Sequence, residues 1–186
     1  MLFPVTDADD VLLDIRYATA DNLTGKPIYH RPVALLRHEA RDALLAAAAR
    51  AKILGLRLKL FDAFRPLDAQ WALWKALPDP RFVADPNDGR GMHPRGVAVD
   101  LTLVDRHTGL ALDMGTGFDA MTPQSAQAAL DLAPEAIRNR TLLLGVMTAS
   151  GWRHIASEWW HYELPGQDAL PLLWAADVPD GPMSAA

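Results

Sequence analysis

The chain has 186 residues, half of them apolar and 22% charged, with a formal net charge of −5 and no cysteine. That length suits one domain spanning 1–186 with a core of its own. The composition excludes disulfides and thiolate metal sites, and the negative balance argues against nucleic acid or an anionic membrane as the main partner. No segment approaches the ~20 apolar residues of a membrane helix. The opening "MLFPVTDADDVLLDIRYA" lacks a basic region followed by a long apolar run, so a cytoplasmic protein is expected.

In chain order, "VLLDIRYATADNLTG" reads as a short strand and then a turn at Asp21 to Gly25. "HEARDALLAAAARAKILG" is the clearest helix, rich in alanine and leucine, with Gly55 suited to its end. "LRLKLFD" places Leu56, Leu58 and Leu60 on one face of a strand. "RPLDAQWALWKAL" is a second helix with Pro66 near its first turn, and Trp71 and Trp74 are read as core residues. "DPRFVADPNDGRGMHPRG" is a loop, with Asp85, Asp88 and Arg90 on a solvated lip. "VAVDLTLVD" is a strand, turned at "DRHTG", and "LALDM" pairs back as a hairpin. "PEAIRNRTLLLGVMTASG" is a third helix closed by glycine, and "WRHI" and "EWWHYEL" are two last strands. Without regular strand–helix alternation, the expectation is an α+β fold. Its central sheet is antiparallel, with helices mainly on one face.

Two segments carry candidate chemistry. In "GMHPRGVAVDLTL", His93 lies in the loop and Asp100 in the strand, on the face shared by Ala98 and Thr102. A buried acid there needs either a metal or a hydrogen-bonded partner. In "SEWWHYELP", the aromatics favour a strand, which turns residues three apart to opposite faces. Glu158 can share a site with His161 only by lying just before the strand or at a bulge. Two histidines and a carboxylate form a common zinc set with a fourth position left for water, and a spare carboxylate can act as base. "FDAFRP" offers Arg65, either as a cation for an oxyanion or as the ion-pair partner of Asp62 or Asp68. His30, His38, His107 and His154 have no partner at metal spacing.

"HPRGVAVD" resembles the H-x6-D zinc motif of the peptidase family that includes D-Ala-D-Ala carboxypeptidases and VanX-type D-alanyl-D-alanine dipeptidases. "SEWWHYEL" resembles its E-x-x-H segment, "FDAFRP" its arginine segment and "YATADNLTGKPIY" its N-terminal segment. Four matches in order across nearly the whole chain resemble the dipeptidase branch.

The resemblance implies one Zn2+ per chain on His93, Asp100 and His161, with Glu158 as base and Arg65 as transition-state stabiliser. It also implies that Tyr17 and Asp119, the latter in "GTGFD", contact the free ammonium of a small dipeptide substrate. One departure is visible: the family's S-x-H is here Gly91-Met92-His93. Two other readings stand beside the dipeptidase. One is a peptidoglycan carboxypeptidase or endopeptidase of the same family, and the other is a non-catalytic zinc module that binds a peptide. The oligomeric state is not legible.

Overall fold

A computed structural model describes residues 1–185. Among these residues seven strands and three α-helices follow one another. They are β1 (Phe3–Val5), β2 (Val11–Leu13), β3 (Ala34–Leu36), α1 (His38–Ile53), β4 (Leu56–Asp62), α2 (Leu67–Ala76), β5 (Ala98–Asp105), α3 (Pro134–Thr148), β6 (Arg153–His154) and β7 (His161–Glu163). The main sheet has the order β2-β4-β5-β7-β6, and β1 pairs with β3 in a separate two-stranded ribbon. All main-sheet pairs are antiparallel except β2 with β4. The α+β architecture is as expected, with one parallel pair at the edge and a ribbon that the sequence patterns did not signal.

β4 and β5 form the spine. Leu58 pairs with Leu103 and Leu60 with Leu101, and all four are fully buried. α1 turns Ala40, Leu44, Ala47, Ala48 and Ala51 inward, a stripe at helical spacing. Its small side chains allow a close approach to β4, and α1 and α3 also pack on each other. Gly55 closes α1 in the left-handed region, at φ +73°. α2 turns Gln70 and Leu73 to a cavity that they wall with residues of β5 and β7. Trp71 and Trp74 are half-buried rather than central, since Leu67, Ala69, Gln70 and Leu73 take the inward face.

Several elements are shorter than their patterns. "LALDM" pairs back only through a bridge between Val104 and Ala111. "EWWHYEL" is strand only at His161–Glu163, and "WRHI" only at Arg153–His154. α3 ends at Thr148, ahead of Gly151. No helix among the described residues is long and apolar enough to cross a membrane.

A β-bulge decides what the second face of the sheet carries. Leu60 pairs with Leu101, but the next pair is Asp62 with Asp100, so Phe61 is an inserted residue. In regular pairing Phe61 would stand opposite Asp100, and Asp62 would point into the leucine layer. The insertion sets Asp62 beside Asp100 instead. β7 adds His161 opposite Asp100.

Candidate metal centre and its surroundings

His93 begins a short 3-10 turn, His93–Arg95, just before β5. Gly96 ends that turn at φ +72°, a conformation that other residues rarely adopt, so "HPRG" needs its glycine. The main-chain N–H of Arg65 donates to the His93 carbonyl over 3.3 Å, tying the exit of β4 to the turn. The turn, β5 and β7 then bring three buried side chains together.

The three facing atoms form a triangle. His161 Nδ1 is 3.0 Å from Asp100 Oδ1, His93 Nε2 is 3.2 Å from His161 Nδ1, and His93 Nε2 is 3.3 Å from Asp100 Oδ1. Ligand atoms of a tetrahedral zinc, at bonds of about 2.0–2.2 Å, lie about 3.3–3.5 Å apart. The triangle fits such an ion after small movements. Outer contacts already aim the rings. The Ala63 carbonyl, 2.6 Å from His93 Nδ1, can only accept, so that nitrogen carries the hydrogen and leaves the Nε2 lone pair inward. Glu163 Oε2 faces His161 Nε2 at 3.7 Å, leaving Nδ1 as the inward atom.

The electrostatics match a cation site. Burial alone would raise the Asp100 carboxyl, but His93 and His161 hold it far below the usual range. Burial opposes charge on His161, yet its bond to Asp100 and the pull of Glu163 push it up to about 10. Both shifts favour positive charge between these side chains, and a metal ion bound there would supply it. Glu163 is buried, but His161 and Arg153 bring it down to about 2.

Arg65 lies at the β4–α2 turn and meets both readings made from the sequence. Its Nε donates to Asp62 Oδ2 at 2.8 Å and its Nη2 to Asp100 Oδ2 at 3.1 Å. Nη1 donates to Gln70 Oε1 at 3.0 Å. Asp68 is not a partner; it accepts from the Ala175 main-chain N–H. A guanidinium has five N–H donors, so two remain for a ligand. The guanidinium also stacks 4.9 Å above the Tyr17 ring.

Glu158 sits in the bend just before β7, which is how it reaches the face of His161 despite the three-residue spacing. It is half-buried, and burial pushes its carboxyl up to about 7, with His161 opposing and Asp100 adding to the rise. Trp159 and Trp160 meet edge to face at 5.4 Å. Both are buried, and of the two only Trp160 walls the cavity.

Asp119 has a left-handed backbone, φ +57°, which aspartate tolerates better than most residues. Its Oδ1 accepts from Tyr17 Oη and its Oδ2 from the Leu23 main-chain N–H, each at 3.2 Å. Burial pushes the carboxyl up to about 6 against the pull of Arg65. The loop is held from below by Arg140, which donates to the carbonyls of Met114 at 2.7 Å and of Gln124 and Ala126 at 2.9 Å.

All seven residues singled out from the sequence line one cavity of about 210 Å3. Drug-sized ligands occupy ~300–1,000 Å3, so this space suits something smaller. Gln70, Glu163 and Arg140 were not foreseen as supports, whereas Asp62 was foreseen as a partner of Arg65. Glu163 had a signal: it lies two residues beyond His161 on the same strand face. The remaining histidines lie outside this cluster, and His38 faces Asp42 at 3.2 Å on α1.

Comparison with known proteins gives the same picture over almost the whole chain. A family model described as D-Ala-D-Ala dipeptidase matches residues 5–179. The chain is 47% identical over 164 residues to a D-alanyl-D-alanine dipeptidase of Escherichia coli, covering 88% of this chain and 84% of that one. It is 38% identical to a protein of the same name from Streptomyces coelicolor and 35% to one from Enterococcus faecium, each over 170 residues, 81% of this chain and 84% of the relative. The chain therefore belongs to the D-Ala-D-Ala dipeptidase family of peptidases.

Proposed function

We propose that this protein hydrolyses D-alanyl-D-alanine, or a D,D-dipeptide of similar size, to free amino acids, using a zinc ion on His93, Asp100 and His161. The observation that carries the reading is one small cavity containing both the N,N,O triangle and a half-buried acid with no ion-pair partner among the described residues, Asp119. The names of the relatives support the substrate class. Two imidazoles and one carboxylate, with no thiol, favour zinc. Bound there, zinc would polarise the scissile carbonyl and lower the pKa of the attacking water to about 7.

The chain's own groups do the rest. Asp119 and the Tyr17 hydroxyl receive the substrate ammonium, which sits two bonds from the scissile carbonyl carbon. Glu158 takes a proton as the water oxygen bonds to that carbon. The negative charge passes to the former carbonyl oxygen, and the two uncommitted N–H groups of Arg65 stabilise it. When the C–N bond breaks, Glu158 returns its proton to the leaving amine. A general base poised near neutrality suits both transfers, and burial gives Glu158 that character. The same base speaks against a non-catalytic binding module, which has no use for it. The small cavity speaks against long peptidoglycan chains.

The test is alanine release from D-Ala-D-Ala by the zinc-loaded protein, after chelation and after zinc is restored. Activity that falls with chelation and returns with zinc supports the reading. Hydrolysis indifferent to the chelator contradicts it.

A further inference from the structure

Resting on the dipeptidase reading, we infer that Arg90 binds the C-terminal carboxylate of the substrate at the mouth of the cavity and so selects free dipeptides at their second end. A dipeptide carries two opposite charges. The cavity offers Asp119 for the ammonium, and the carboxylate needs a cation. Among the described residues lining this cavity, only Arg65 and Arg90 carry a permanent positive charge. Arg65 is buried and already bonded to Asp62, Asp100 and Gln70. Arg90 is the exposed one, its side chain 82% exposed and paired with Asp88.

Its donors are only partly used. Arg90 Nε and Nη2 bond to Asp88 Oδ2 at 3.0 and 2.8 Å. Two of its five N–H groups are thereby engaged, and the outer edge of the guanidinium remains open to a carboxylate in a forked geometry.

The backbone beneath Arg90 is fixed, although the side chain is exposed. Arg95, itself buried, donates from Nη2 to the Gly89 carbonyl at 2.9 Å and from Nη1 to the Gly91 carbonyl at 3.4 Å. It therefore grips the chain on both sides of Arg90. The same Nη2 reaches the Asp168 carbonyl at 2.9 Å, anchoring the loop to the C-terminal segment. Gly91 brings no side chain to this rim, and a Cβ there would press on Pro94 Cδ at 3.3 Å. Arg90 is thus a charged arm on a clamped base, three residues before the ligand His93.

The experiment compares D-Ala-D-Ala with D-alanyl-D-alaninamide, which lacks the carboxylate, on the zinc-loaded full chain and on Arg90→Ala and Arg90→Lys. The unmodified enzyme should favour the free acid through KM. Arg90→Ala should raise KM for the acid ~10- to 100-fold, the range of a charge-assisted pair, with kcat and zinc content nearly kept. Its KM for the amide should not move, so the preference disappears, and Arg90→Lys should recover part of it. An unchanged acid-to-amide ratio in Arg90→Ala overturns the inference and leaves the dipeptidase reading intact. An equal loss on both substrates, or a loss of zinc, also overturns it, because the arginine would then be serving the loop. Failure of the unmodified, zinc-loaded enzyme to cut either substrate overturns the dipeptidase reading and this inference together.

Discussion

Asp100 and Asp119 are carboxylates in the walls of one cavity, and their surroundings push them in opposite directions. Asp100 has two imidazoles on one oxygen and the Arg65 guanidinium on the other, and it is held far below its usual range. Asp119 has one hydroxyl and one amide, and burial lifts it to about 6. The first anion is compensated and fixed, which suits the metal ligand proposed above. The second has no ion-pair partner, which suits the substrate-binding anion proposed above. The contrast separates a permanent site from a transient one without reference to any ligand.

Removing a corner of the permanent site should have the largest effect. His161→Ala deletes one of three donors and leaves Asp100 with less to balance it. Zinc content, expected at about one per chain in the unmodified protein, should collapse, and affinity should fall by more than the ~10- to 100-fold typical of losing an outer contact. Full occupancy in the variant would show that His161 is not a ligand.

Glu158→Gln should be next. The amide keeps the shape and loses the basic oxygen, so kcat should fall ~10²- to 10⁴-fold while zinc remains. Zinc analysis alongside the kinetics decides the role, because loss of metal together with activity would make Glu158 part of the permanent site.

Arg65 touches both regions, bonded to Asp100 and stacked on Tyr17. Arg65→Lys keeps a charge but cannot satisfy Asp62, Asp100 and Gln70 at once. We expect kcat to fall of order 10²-fold, as on loss of an oxyanion donor. A normal kcat with only a raised KM would place Arg65 on the ground-state substrate.

The smallest effect concerns Asp119 and stability. Its folded pKa of about 6 lies above the ordinary aspartate value of 3.8, so its contribution is fully present below about 3.8 and lost as pH rises through about 6. At pH 8 the ionised form is a burden, and Asp119→Asn should leave the melting temperature unchanged or raise it while substrate binding suffers. In the unmodified enzyme, KM for the dipeptide should climb as pH falls through the Asp119 pKa. A clear loss of stability in Asp119→Asn at pH 8 would mean that the charge is structurally paired.

The two regions were not equally legible in the sequence. His93, Asp100 and His161 could be paired from residue types, and β5 was readable from its alternation. The spacing of Glu158 and His161 argued against a shared site, and only the bend before β7 resolves it. The Phe61 bulge, which puts Asp62 under Arg65, follows from strand register and has no local sequence signature. Two of the buried arginines, Arg95 and Arg140, were also silent. Arg95 and Arg140 bond to main-chain carbonyls of distant loops, a role that no pattern of neighbours announces. Asp119 was found through the family resemblance alone, because its burial and its bond to Tyr17 span 102 residues of sequence. Local periodicity recovers strands and helices, whereas the second face of the sheet is assembled from loops.

The central claim is that Asp119 waits for a free ammonium beside a hydrolytic metal centre. Hydrolysis of D-Ala-D-Ala and of its N-acetyl derivative, by the zinc-loaded protein and by Asp119→Ala, tests it most directly. Acetylation removes the cation and leaves the half-buried Asp119 carboxylate without its charge partner. The unmodified enzyme should cut the free dipeptide at least ~10³-fold faster than the acetylated one, and Asp119→Ala should narrow that gap chiefly by losing the free dipeptide. Comparable rates on the two substrates in the unmodified enzyme would contradict the account.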